Sequence, residues 1–109
     1  MITRKQLLEI TEREFNLQET MQVIQANKMM FWSWGANQFG NIDDKGLIFR
    51  VRGHHHKGYI FITLAWNDTY TVTLITTHGN IKKTFKEIYF DVLQETIDNA
   101  VEKVPEYTR

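Results

Sequence analysis

A chain of 109 residues has room for one hydrophobic core and excludes a second domain of ordinary size. A hydrophobic content of 42%, with seven phenylalanines, four tyrosines and three tryptophans, sets the chain apart from the composition of disordered chains, and the lack of cysteine excludes a disulfide framework, a thiolate zinc site and a cysteine nucleophile. Thirteen basic and thirteen acidic residues cancel, yet residues 45–86 hold seven basic and one acidic residue between two acidic ends.

Thr3 and Gln6 have the spacing of a capping box, so a helix begins there. Leu7, Ile10, Leu17, Met21 and Ile24 follow in steps close to three and four, with Glu14 interrupting, which predicts one amphipathic helix over residues 4–26. This start carries Glu9, Glu12 and Glu14 where a leader peptide would be apolar, so the expectation is a cytoplasmic protein that does not enter a membrane. Residues 29–35, rich in Met, Phe and Trp and closed by Gly35, read as a short buried strand. Met30, Trp32 and Trp34 fall on one parity of it, as core anchors do. A loop is expected over residues 36–45.

Residues 47–52, 59–66 and 70–77 alternate and are separated by turn residues, which predicts three hairpin-linked strands. Residues 81–87 give a fourth, whose lysines suit an edge. From Tyr89 the period returns to that of a helix, with Phe90, Leu93, Ile97, Ala100, Val101 and Val104 on one stripe and Pro105 beyond. The expected fold class is a single α+β domain over residues 1–109. It has an N-terminal helix, an antiparallel meander of four to five strands and a C-terminal helix, both helices packed on one face of the sheet.

Strand parity divides the sheet in two. Leu47, Phe49, Val51, Ile60, Ile62, Leu64, Trp66, Tyr70, Val72, Leu74 and Phe85 form the side the helices would cover. The other side carries Ile48, Arg50, Arg52, Tyr59, Phe61, Thr63, Thr71, Thr73, Ile75, Lys82, Thr84 and Lys86, and is expected to face solvent. Three readings of function follow. The first is a non-enzymatic protein-interaction module, binding a protein partner or a second copy through Arg50, Arg52, Tyr59 and Phe61, since exposed aromatics and arginine favour interface centres. The second is a nucleic-acid binder on the same face, with Lys82 and Lys86 joining the cations beside rings that could stack on bases. The third is a zinc or nickel site. His54 and His56 share a direction if the glycine-flanked loop after the first hairpin strand is extended, and His78 lies in a loop at the same end of the sheet.

Asp43, Asp44, Asn67 and Asp68 gather at the opposite end, where they read as turn formers or as oxygen ligands for a divalent cation. No phosphate loop, nucleophile elbow or paired-histidine protease spacing occurs, so no catalytic role is assigned. The runs Gly46-Leu47-Ile48-Phe49-Arg50-Val51, Gly58-Tyr59-Ile60-Phe61-Ile62-Thr63-Leu64, Asn67-Asp68-Thr69-Tyr70-Thr71-Val72 and Ile88-Tyr89-Phe90-Asp91-Val92-Leu93 resemble a group of small proteins encoded by bacterial phages and mobile elements. The resemblance implies a prokaryotic, element-borne origin and brings no activity or catalytic residue with it. It does not extend to residues 34–45 or to the triple histidine.

Overall fold

A computed structural model describes residues 2–102. Helices α1 (Arg4–Glu9), α2 (Leu17–Ile24) and α3 (Lys28–Ser33) precede strands β1 (Asn37–Ile42), β2 (Gly46–Arg52), β3 (Lys57–Leu64), β4 (Tyr70–Thr76) and β5 (Ile81–Ile88), and helix α4 (Phe90–Val101) follows. The strands form one antiparallel meander in sequence order, so the α+β class and its helix–meander–helix plan are as the sequence indicates. Among the described residues no helix is long and apolar enough to cross a membrane. Val104 and Pro105 lie outside the described residues.

The single N-terminal helix expected over residues 4–26 is two helices. Thr3 and Gln6 do form the capping box, with Gln6 N–H donating to Thr3 Oγ1 at 3.1 Å and Thr3 N–H to Gln6 Oε1 at 2.8 Å. The helix stops after Glu9 because the next backbone groups find partners at the end of the sheet. Arg13 forms a β-bridge with Leu64, and Phe15 N–H donates to the Asp44 carbonyl at 2.9 Å. A fresh start then comes from Asn16, whose Oδ1 accepts from Gln18 and Glu19 N–H at 2.9 and 3.2 Å.

The segment 29–35 is not a strand: residues 29–33 lie in helix α3, and Trp34 and Gly35 form the turn that follows. Asn27 Oδ1 caps the helix by accepting from Met30 N–H at 3.1 Å, and a run of Met, Phe and Trp without alternation is free to follow that cap. Residues 37–42, expected as loop, are edge strand β1. Its register with β2 slips between Asn37 and Gly40, where Gln38 takes φ 55°.

The core face follows the expected parity. Leu47, Phe49, Val51, Ile60, Ile62, Tyr70, Val72 and Leu74 pack with Ile24 of α2, Trp34, and Leu93, Ile97 and Val101 of α4. Trp34 is fully buried, and its indole N–H donates to Asp98 Oδ1 at 3.0 Å, which fastens the end of α3 to α4. The hydroxyls of Thr20 and Tyr70 meet at 2.9 Å and fasten α2 to β4. Trp66 departs from the expectation. It lies past the end of β3 and is 71% exposed.

The opposite face is not open. Leu7 of α1 is buried on it with Ile42, Phe61 and Ile75, and Ile2, Leu8, Ile48 and Tyr59 pack around them. Of the predicted N-terminal helix, therefore, only the second half, α2, shares a face with α4. The residues between α1 and α2 carry the chain around the end of the sheet from one face to the other. Side chains of this segment hold the turns it passes: Arg13 Nη1 pairs with Asp68 Oδ1 at 2.5 Å and Glu12 Oε1 accepts from Trp66 N–H at 3.3 Å, while Arg4 of α1 pairs with Asp43.

Candidate functional site

With α1 in place, the face proposed from sequence shrinks to one end. Phe61 is 0% exposed and can contact no partner, because the leucines of α1 cover it. Arg50 stands opposite Tyr59 across the β2–β3 ladder with its guanidinium 6.0 Å from the centre of the tyrosine ring. Arg52 stands opposite Lys57, two like charges on directly paired residues. Asn37, Gln38, Arg50 and Arg52 line a shallow recess of about 400 Å³. Among the described residues the ion pairs are Arg4 with Asp43, Arg13 with Asp68 and His54 with Glu102, so Arg50, Arg52 and Lys57 have no carboxylate partner there.

Lys82 does not join them. The β4–β5 register shifts between Leu74 and Ile75, whose partners are Lys83 and Ile81, so Lys82 falls at the irregularity and strict parity fails for it. Its ammonium donates to the His55 carbonyl at 3.1 Å instead. Lys86 is exposed on edge strand β5, beside a second register shift between Tyr70 and Val72.

The histidines are also separated. Residues 53–56 form a tight turn and not an extended segment, with Gly53 N–H donating to the His56 carbonyl at 3.1 Å and His55 N–H to the Val101 carbonyl at 2.8 Å. His56 is buried, its Nε2 3.2 Å from the Tyr59 carbonyl, while His54 Nε2 lies 3.3 Å from Glu102 Oε2 and His78 is exposed in the β4–β5 turn. Among the described residues no group of three or more His, Cys, Asp or Glu comes together to hold a metal ion, so His54, His56 and His78 do not form the zinc or nickel site their spacing suggested. Burial holds the His56 imidazole below its ordinary pKa, and the charge of Lys82 adds to this against the hydrogen-bonding pull of the Tyr59 and Ile75 backbone. The aspartates of the other end act as turn residues. Asp43 and Asp68 pair with arginines, and Asp44 accepts from Asn41 Nδ2 at 2.8 Å.

A surface that strand parity does not reveal lies on α3 and the start of α4. Phe31 meets Trp34 edge-on at 5.5 Å and stacks at 6.2 Å on Phe39, which is itself 40% exposed and stacks on buried Phe49 at 5.0 Å. Met29 is 74% and Trp32 68% exposed, with Phe90 68% and Tyr89 63% exposed at the head of α4. Gln94, one turn beyond Phe90, ties α4 to the α2–α3 connection that leads into α3. Its Oε1 accepts from Asn27 N–H at 3.0 Å, and its Nε2 donates to the Ile24 and Asn27 carbonyls at 2.8 Å each. The sequence signal for this surface is a short helix that is apolar on every side, which cannot bury all its residues against one sheet. Comparison with protein-family models, curated proteins and solved structures finds no match.

Proposed function

We propose that this protein is a non-enzymatic protein-interaction module that docks its partner on α3 and the head of α4, and that the partner is a second copy of the chain. The exposure of Met29 and Trp32 carries the reading, because the Trp34–Asp98 hydrogen bond and the ring contacts of Phe31 fix the helix that presents them. Trp, Tyr, Phe and Met are the residue types interface centres favour, and a rigid presentation keeps the ordering cost of binding low. Sedimentation velocity across a concentration series tests it. A dimer that dissociates in a Trp32→Ser, Phe90→Ser variant of unchanged melting temperature is expected. A wild-type chain that sediments as a monomer at every accessible concentration overturns the reading.

A second reading, polyanion binding at Arg50, Arg52 and Lys57 beside Tyr59, is favoured by the paired like charges that no carboxylate offsets among the described residues. Phosphate groups of a single-stranded nucleic acid would relieve that repulsion, and binding would weaken steeply as salt rises. An oligonucleotide titration at two salt concentrations tests it, and affinity that ignores salt would sink it.

A further inference from the structure

On the core side of the sheet, a cleft of about 490 Å³ opens between α4 and strands β4 and β5. Its floor is apolar: Leu74 is buried, and Phe85 and Ala100 are half-buried against the core. Two cations stand over this floor. Lys83 is paired with Leu74 in the β4–β5 ladder and so takes core-face parity, and its ammonium lies 4.9 Å from the centre of the Phe85 ring. Lys82 lines the same cleft, and its bond to the His55 carbonyl occupies one of the three ammonium protons. No carboxylate among the described residues pairs with either lysine. An inward-pointing lysine on an edge strand discourages further strand pairing, which accounts for one charge and not for a second beside an apolar hollow.

We propose that this cleft is a binding site for an organic anion, a single acidic head group on an apolar body. The head would lie between the ammonium groups of Lys82 and Lys83, within reach of the Asn99 amide on the rim, and the body would lie on Leu74, Phe85 and Ala100. The cleft has the volume of an ordinary small-ligand site, and its chemistry has the usual division into an apolar lining and a few convergent polar groups. A free inorganic anion would leave the floor wet, and an uncharged chain would leave both lysines of the lining without a counter-charge.

Titration of the full chain with decanoate, followed by backbone amide NMR shifts, tests the assignment, with decanol and inorganic phosphate as controls. Saturable shifts centred on residues 82–85 and 96–100 are expected for decanoate, and neither control should saturate there. The Lys82→Met, Lys83→Met variant keeps the apolar stems and should bind about tenfold more weakly or worse, the scale of lost charge-assisted hydrogen bonds. Ala100→Leu keeps both charges but fills the cleft, so it should abolish the shifts while the spectrum stays that of the folded chain. Decanoate shifts centred on Met29, Trp32 and Phe90, affinity unchanged in both variants, or no saturable shift at all would each overturn the site.

Discussion

The ring of Phe61 lies over Gly46, so that a Cβ on Gly46 would stand 2.4 Å from the Cε1 and Cζ atoms of the ring. Gly46 also begins β2, opposite Thr63, and its bare backbone is what lets the ring lie down beneath α1. Gly46→Ala must therefore lift Phe61 into the leucines above it. A loss of about 1–3 kcal/mol in urea denaturation is expected, the usual cost of overpacking. An unchanged midpoint would show that the ring has room to move.

Leu7 is the buried side chain by which α1 holds that ring down. Leu7→Ala should cost about 2–5 kcal/mol, whereas Arg4→Gln and Arg13→Gln should each cost less than about 1 kcal/mol, because their pairs with Asp43 and Asp68 are largely solvent-exposed. Chemical denaturation of the three variants gives the order directly. Arginine variants as damaging as the leucine variant would mean that ion pairs, and not apolar burial, hold the segment.

Trp34 fills the core and directs its only side-chain donor to Asp98. Trp34→Phe keeps most of the apolar contact but strips a half-buried carboxylate of its partner, for an expected loss of about 1–3 kcal/mol. Asp98→Asn retains an acceptor oxygen at that place and should cost less. The comparison is read from melting temperatures of the two variants.

His56 makes stability depend on pH in a definite direction. Its folded pKa lies below the ordinary value of 6.5, so below pH 6.5 the unfolded chain takes up a proton that the native state resists. Its contribution is fully present above pH 6.5 and is lost as pH falls from there through the folded value. Guanidinium denaturation at about pH 7.5 and about pH 5.5 should show wild type losing more stability on acidification than His56→Gln, which cannot charge. Equal losses would place the titration elsewhere.

The opposed Arg52 and Lys57 predict a trade between stability and binding. Lys57→Glu replaces a repulsive cross-strand pair with an attractive one and should stabilise the fold by about 0.2–1 kcal/mol. The same change should weaken any oligonucleotide binding and flatten its salt dependence. Stronger binding in the variant would exclude this end of the sheet as the phosphate-contacting surface.

Strands β2 to β5 and helix α4 are legible in the sequence because each carries its own period and is bounded by turn residues such as Asn67-Asp68 and His78-Gly79. Strand β1 is not, since Asn37, Gln38, Gly40 and Asn41 hold no alternating apolar set and an edge strand can do without one. Helix α3 hides because six residues show neither period clearly. The hardest element to read is the N-terminal one. Leu7 and Ile24 fit a single helical stripe by spacing, yet they pack on opposite faces, because pairing with Asp44 and Leu64 outcompetes continued helix between them. Parity placed Phe61 on the correct side of the sheet. Exposure could not be read the same way, since it depends on that distant break.

The path of the N-terminal segment around the sheet also constrains the order of assembly. Glu12 reaches Trp66, 54 residues away, and Leu7 rests on side chains of both β3 and β4, so no docking site for α1 exists until those strands are aligned. Closing so long a loop before any local contact rewards it is slow, so the expected order in refolding is meander first and α1 last, with amide protection of residues 4–9 the last to appear. Until α1 docks, the meander is a ribbon with Phe61 and Ile75 bare, and that interval is when the chain is most exposed to sticking to its neighbours.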